Sequence, residues 1–418
     1  MLTNYLKVAW KVLLRRKFFT FISLFGISIT LLVLMVATAM IDHVFAPQAP
    51  EVHADRTLGV YVMAENGPDF TRTGFAGYGF LDRYVRPMAA MPEVEGVAVF
   101  SLFQPAVSYV GGRKIESYLK RTDGEFWRIL DFDFVEGRPF TVQDDRDARF
   151  VAVINESTRQ RFFGGRPAVG KTLEIDGQRF RVIGVVRDVP FLRVVPFADV
   201  WVPIGTTKSD GYKRELVGDF MGLLLARSRA NFPAIQAEVE RRRLEAQRHM
   251  PDPKQFSQLH AAAETLFEAA SRMFLSQRME ESRPGWLRGA LFLLMTLFML
   301  LPAVNLVNVN LSRILERSSE IGVRKAFGAS SRTLVGQFVV ENVMLTLLGG
   351  LIGLALAAVA LQALNASGFI PYARFSLNLR VFVYGLGIAT FFGLLSGVYP
   401  AWKMSRLHPA EALRGRSL

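Results

Sequence analysis

The chain of 418 residues is long enough for two or three domains, and half of it is hydrophobic although 21% is charged. Apolar residues must therefore be gathered into segments, and the formal charge of +13 reads as the cytoplasmic-loop charge of a membrane protein and not as a nucleic-acid footprint. With no cysteine, a disulfide framework, a thiol nucleophile and a thiolate metal site are excluded.

Residues 1–17 carry Lys7, Lys11, Arg15, Arg16 and Lys17 without an acid and read as a basic cytoplasmic N-terminus. Residues 18–41 hold no charge and are long enough to cross a bilayer core. The run is too long for a signal peptide, and Asp42-His43-Val44-Phe45 follows it where a small-residue cleavage site would stand, so it is read as a retained anchor.

Residues 42–257 can form a core of their own. Strands are predicted over 97–103, 115–121, 151–154 and 220–226, and a hairpin over 172–175 and 179–186 turns at Asp176-Gly177. Asn155 caps a predicted helix running to residue 163. A polar helix opens at Asn231 and ends near His249, ahead of Pro251 and Pro253. Strands mixed with helices make this an α+β domain, with two subdomains expected. Over 258–285 the spacing of Leu259, Leu266, Phe267, Phe274 and Leu275 predicts a helix, read as a stalk although the spacing suits an ordinary packed domain helix as well, broken at Pro284-Gly285.

Three further apolar segments follow, at 289–312, 333–364 and 381–402. The loop 313–332 carries Arg313, Arg317, Arg324, Lys325 and Arg332, and the tail 403–418 carries Lys403, Arg406, Arg414 and Arg416; the loop 365–380 has only Arg374 and Arg380 as cations. By the positive-inside rule both termini and the 313–332 loop are cytoplasmic. The expectation is a membrane protein of four transmembrane helices with a large α+β extracytoplasmic domain between helices 1 and 2.

Within the charged loop, Ser318 or Ser319 can cap a short helix. Glu320 then sits in its first turn, with Arg324 four residues on and Lys325 beside it. Ile321, Val323 and Phe327 give it an apolar side, Gly328 stops it, and Ser330 or Ser331 can cap the helix that follows. Spacing alone favours an ordinary solvated turn.

Gly165-Arg166-Pro167-Ala168-Val169-Gly170-Lys171-Thr172 matches the phosphate-loop pattern GxxxxGKT. A phosphate loop needs a strand entering and a helix leaving, so that amides and a helix N-terminus face the anion. Here a helix enters and a strand leaves, so the segment is read as a helix-to-hairpin loop and ATP hydrolysis is assigned to another chain. The five histidines have no metal-ligand spacing and no serine-hydrolase elbow occurs, so no catalytic or metal residue is assigned.

Glu341 is the ionisable residue within an apolar span, near enough to the cytoplasmic end to reach interfacial water or to pair with Lys325 or Arg332. Gly349, Gly350 and Gly353 permit close helix packing, within one chain or between two. Asn305, Asn308 and Asn310 can bond across helices.

The run from Glu316 to Ser330, Glu-Arg-Ser-Ser-Glu-Ile-Gly-Val-Arg-Lys-Ala-Phe-Gly-Ala-Ser, with Gln337-Phe338, Glu341, Gly349-Gly350 and Gly353, resembles the C-terminal region of ABC-transporter permeases of the MacB/FtsX superfamily. Glu136-Gly137-Arg138-Pro139-Phe140-Thr141, Val151-Ala152-Val153-Ile154-Asn155-Glu156, Phe163-Gly164, Val169-Gly170-Lys171 and Val182-Ile183-Gly184-Val185-Val186 resemble its MacB-like periplasmic core domain. The resemblance implies a permease of the bacterial inner membrane whose 313–332 loop docks on an ATPase subunit through Glu316, Arg317, Glu320, Ile321, Arg324, Lys325 and Phe327. It further implies a second permease, identical or paralogous, with ATP and magnesium held by a separate ATPase chain and no cofactor in this one. A periplasmic adaptor, an outer-membrane duct and membrane lipids are the other expected partners, and nucleic acid is not one. The function implied is ATP-driven export. Two alternatives share the topology, a lipoprotein-extracting permease of the LolC/LolE kind and an FtsX-like signalling module, whose outer domain is much smaller.

Overall fold

A computed structural model describes residues 2–15, 17–250, 255–275, 282–298, 300, 323, 327 and 330–405. The chain divides into two compact units, one of helices (1–42, 289–369 and 375–418) and one built on a sheet (43–288 and 370–374).

In the helical unit the described helices are α1 (Leu2–Arg15), α2 (Lys17–Phe45), α6 (Pro284–Phe298), α7 (Ser331–Ser367) and α8 (Leu379–Ser405). Those numbered between belong to the sheet unit. Among the described residues, α2 and the Val335–Ser367 part of α7 are long and apolar enough to span a bilayer, whereas Pro284–Phe298 and Leu379–Phe391 are shorter apolar stretches. Most of the expected span 289–312 lies outside the described residues. Ile27, Leu31 and Leu345 form a buried cluster that also takes in Leu13 of α1. The basic N-terminus is thus a helix, fastened by the row of Ala9 and Leu13 while Lys7, Lys11 and Arg15 face outward.

The sheet unit carries fourteen strands among the described residues. In chain order they are β1 (Thr57–Val60), β2 (Val62–Asn66), β3 (Thr71–Ala76), β4 (Val94–Ser101), β5 (Gln104–Val110), β6 (Arg113–Thr122) and β7 (Phe134–Gly137). They continue with β8 (Val151–Asn155), β9 (Thr172–Ile175), β10 (Gln178–Val186), β11 (Val200–Pro203), β12 (Val217–Gly218), β13 (Phe220–Ala226) and β14 (Gln258–His260). The main path runs β14-β2-β3-β13-β4-β6-β11-β8-β10-β7. Between β4 and β6 the pairing narrows to one register pair, Phe100 with Thr122. This thin junction divides the sheet into two lobes that share one core, in which Phe100 and Leu223 of one belong to the same buried cluster as Val153 and Trp201 of the other. One lobe packs β1, β4 and β13 on α4 (Phe232–Arg248) through Leu58, Val97, Leu224, Ile235 and Val239. The other packs β8, β10 and β11 through Ile154, Val182 and Val202, with Phe162 and Phe163 of α3 (Glu156–Phe163) against it.

Local chemistry explains several elements directly. The Asn155 side chain caps α3 by accepting from Thr158 N, and Gly164 closes the helix at φ 62°. Asp176 and Gly177, at φ 53° and 67°, make the two-residue turn between β9 and β10 that such a pair favours.

The predicted stalk helix over 258–285 needs correction. Gln258–His260 is β14, paired with β2, and the described helix of this stretch, α5, covers only Leu266–Leu275. The Leu259 side chain is fully buried in the core between the sheet and α4, and Glu264 exchanges two backbone hydrogen bonds with Gly59 at 2.7 and 2.9 Å. A partner strand distant in sequence overrides the helical spacing and the helix-favouring alanines at 261–263. The loop expected over 365–380 is also divided: α7 runs on to Ser367, and residues 370–374 belong to the sheet unit.

Candidate coupling site

Of the residues in the 313–332 loop expected to dock on an ATPase, Phe327 is described, together with Val323 of the predicted apolar side. Phe327 N donates to Val323 O at 3.1 Å, a helical i to i−4 bond, and the Phe327 side chain is 89% exposed. Ser330 caps α7, accepting from Thr333 N at 3.2 Å. Glu316, Arg317, Glu320, Ile321, Arg324 and Lys325 lie outside the described residues, as do Asn305, Asn308 and Asn310.

Inside the helical unit Glu341 is buried, at 3% exposure, and accepts from Gln337 Nε2 at 3.1 Å one helical turn earlier. The carboxylate therefore lies within the packed helices, and Lys325, one of the partners expected for it, lies outside the described residues. Gly349 and Gly353 face α2: a Cβ on Gly349 would sit 2.9 Å from Ile27 Cγ2, and one on Gly353 3.0 Å from Ser28 O. Ser28 Oγ donates to Gly349 O at 2.9 Å, fixing that approach. Gly350 meets Leu386 of α8. The small residues are thus used for packing within one chain.

The phosphate-loop lookalike joins the C-terminus of α3 to β9, with Gly164, Gly165 and Gly170 at positive φ. Lys171 Nζ lies over the Phe163 ring at 5.3 Å. No helix begins at Lys171-Thr172, so no helix N-terminus faces a phosphate there.

The sequence did not single out a set of buried polar anchors in the sheet unit. Arg193, 1% exposed, pairs with Glu51 at 2.8 Å and donates from Nη2 to Ala46 O at 2.6 Å. Burial pushes Glu51 up and Arg193 down from their ordinary values, against the attraction between them. Arg272 of α5 pairs with Glu264 at 2.7 Å, both almost fully buried. Lys120 of β6 is fully buried, donates to Val194 O and Val195 O at 2.8 and 2.5 Å, and is held well below the usual lysine range by desolvation. Asp199 is 2% exposed and accepts from Asn155 Nδ2 at 3.0 Å, Tyr118 N at 2.9 Å and Tyr372 OH at 2.7 Å, with Arg161 3.0 Å away. A signal was available: Arg193 stands alone as a cation in the apolar run 191–197, and a lone cation in such a run must find a buried partner.

Two family models match the chain. The MacB-like periplasmic core domain covers residues 20–242, and the FtsX-like permease C-terminal region covers 292–409. The chain belongs to the MacB/FtsX superfamily of permeases. This permease is 27% identical over 99% of its length to the pyoverdine export ATP-binding/permease protein PvdT of Pseudomonas syringae pv. tomato, of which it covers 59%. It is 23% identical over 97% of its length to the macrolide export ATP-binding/permease protein MacB 2 of Aeromonas hydrophila, covering 60% of that protein. The chain thus spans about three-fifths of the length of these relatives. Among solved structures, the periplasmic region of MacB from Actinobacillus actinomycetemcomitans matches 44% of this chain and 83% of its own, at 16% identity and a TM-score of 0.35.

Proposed function

We propose that the chain is the permease subunit of an ATP-driven MacB-like ABC transporter, exporting a substrate that it meets outside the cytoplasm. The order of the two family matches carries this reading: a periplasmic core domain, then a permease region, on a chain whose α2 and α7 are long and apolar. Both helices also present apolar side chains outward, among them Phe21 and Phe25 of α2 and Leu351 and Val359 of α7, as a lipid-facing surface requires. In this reading four spans cross the inner membrane with both termini cytoplasmic. A second permease pairs with this one, and two ABC ATPase subunits, which hold the nucleotide and magnesium, dock on the 313–332 loop. The exposed Phe327 is suited to enter an apolar groove on the ATPase. The relatives, a pyoverdine export protein and a macrolide export protein, favour export over lipoprotein extraction or signalling.

The test is affinity purification of the tagged chain from solubilised native membranes, with partners identified by mass spectrometry. An ABC ATPase is the expected partner, and an adaptor with an outer-membrane duct would accompany it in export. Lipoproteins in their place would move the reading to extraction, and no ATPase at all would overturn it. With the ATPase in hand, the double reversal Glu320→Lys with Arg324→Glu, and separately Phe327→Ala, should return ATPase turnover to the rate of the ATPase alone while membrane insertion stays intact.

A further inference from the structure

Two of the stretches that carry the chain into and out of the sheet unit are residues 46–51, directly after α2, and residues 370–374, between α7 and α8. They are distant in sequence, and neither is regular structure. Both are gripped by one irregular loop, residues 190–199 between β10 and β11.

The grip on 46–51 is Arg193, which donates to Glu51 Oε2 at 2.8 Å, to Ala46 O at 2.6 Å and to Gln48 O at 3.4 Å. The grip on 370–374 comes from both ends of the same loop. Phe191 N donates to Pro371 O at 3.0 Å, and Asp199 Oδ1 accepts from Tyr372 OH at 2.7 Å. Tyr372 holds a positive φ of 59°, which a tyrosine adopts only where its surroundings dictate it. The loop cannot give way locally: Lys120 Nζ bonds two consecutive carbonyls in its middle, Phe197 N bonds Arg193 O at 2.9 Å, and Phe197 packs on Phe103 and Phe191 with centroids 4.8 and 5.0 Å away. One rigid piece therefore holds two connectors.

We propose that residues 190–199 act as a coupling loop, making the seating of 46–51 and of 370–374 one cooperative event, with Arg193, Asp199 and Lys120 as its positioning residues. A displacement arriving along α2 is then felt at the start of α8, and both are handed to the sheet through Lys120 on β6 and Asp199 beside β11. The purpose of the loop, moving the outer domain in step with the helices, rests on the transporter reading above. The coupling itself is a property of the folded chain and is measurable without an ATPase.

Reciprocity separates a coupling loop from two independent anchors, because a coupling free energy acts equally in both directions. Hydrogen–deuterium exchange is measured on the full-length protein in nanodiscs, for the parent, Tyr372→Phe, Glu51→Gln and the double variant. Tyr372→Phe removes one hydroxyl, yet exchange should quicken by about three- to tenfold, one hydrogen bond's worth, in the peptide covering 44–56 as well as around 370–374. Glu51→Gln should do the same at 370–374, and the double variant should fall short of additive. Lys120→Met, whose ammonium is felt by Glu51 through its charge, should loosen 370–374 as well as 46–51. Unchanged exchange in β13, which pairs on both sides, shows that the fold persists. Changes confined to each variant's own connector, with additive effects in the double variant, would overturn the proposal. A purification that yields no ATPase would instead overturn the transporter reading and leave these exchange results to stand by themselves.

Discussion

Asp123 shows how a single residue can register pH in this protein. It is 3% exposed and accepts hydrogen bonds from Val99 N at 2.9 Å and Phe126 N at 3.1 Å, with Arg86 at 3.4 Å, yet burial outweighs these and pushes its pKa up to about 7. The folded state thus holds a proton that the unfolded chain, with the ordinary aspartate value, has already released between about pH 4 and 7. The stability this group contributes is present below that window and is lost as pH rises through it, at up to about 1.4 kcal/mol per pH unit. Glu51 and Glu264 are raised by burial too, so the Asp123 share has to be isolated by substitution. In denaturant unfolding of the full chain, followed by the buried Trp127 and Trp201 with the other tryptophans replaced by phenylalanine, the parent should gain more stability than Asp123→Asn between pH 7.5 and 5.5. Equal gains would mean that Asp123 does not titrate there. None of this is legible in the sequence, where Asp123 stands before Gly124 like an ordinary turn residue; its character comes from β4, whose Val99 meets it across the sheet.

Among the elements, legibility followed the distance over which the deciding interaction acts. The cap at Asn155, the turn at Asp176-Gly177 and the strand of seven buried residues at β13 are written in adjacent residues, and each stands where local chemistry puts it. β1 and β14 are not so written, because they owe their conformation to β13 and β2, which lie far away in sequence. Glycine in α7 gives a test at this scale. A Cβ on Gly353 would sit 3.0 Å from Ser28 O and 3.1 Å from Leu31 Cβ, whereas one on Gly336 meets nothing within 4 Å. Gly353→Ile should therefore cost about 1–3 kcal/mol, the usual penalty of forcing volume into packed space, and lower the thermal midpoint of the detergent-solubilised protein. Gly336→Ala should leave the midpoint unchanged or raise it, since alanine favours helix by about 1 kcal/mol over glycine. Equal tolerance at both positions would mean that α2 and α7 do not meet through Gly353.

For the whole molecule, composition already separated membrane segments from a domain of different character, because a bilayer demands long uncharged runs and tolerates little ambiguity. Where the chain crosses is a separate matter, resting on the asymmetry of basic residues: five in residues 313–332 and two in residues 365–380. That asymmetry predicts that the sheet unit and the 313–332 loop lie on opposite sides of the membrane. The absence of cysteine makes the prediction directly measurable, since any introduced thiol is unique. Tyr109, 73% exposed beside the Gly111-Gly112 turn of the β5–β6 hairpin, and Phe327, 89% exposed, are sites where a thiol would be open to reagent. In intact cells with a permeabilised outer envelope, a membrane-impermeant maleimide should label Tyr109→Cys and spare Phe327→Cys until the inner membrane is broken. Labelling of both before lysis would place the charged loop outside and remove the surface on which the ATPase docks in this reading. Labelling of neither would put the sheet unit inside, and the positive-inside argument would fail for the first span, where five basic residues precede the uncharged run without a single acid.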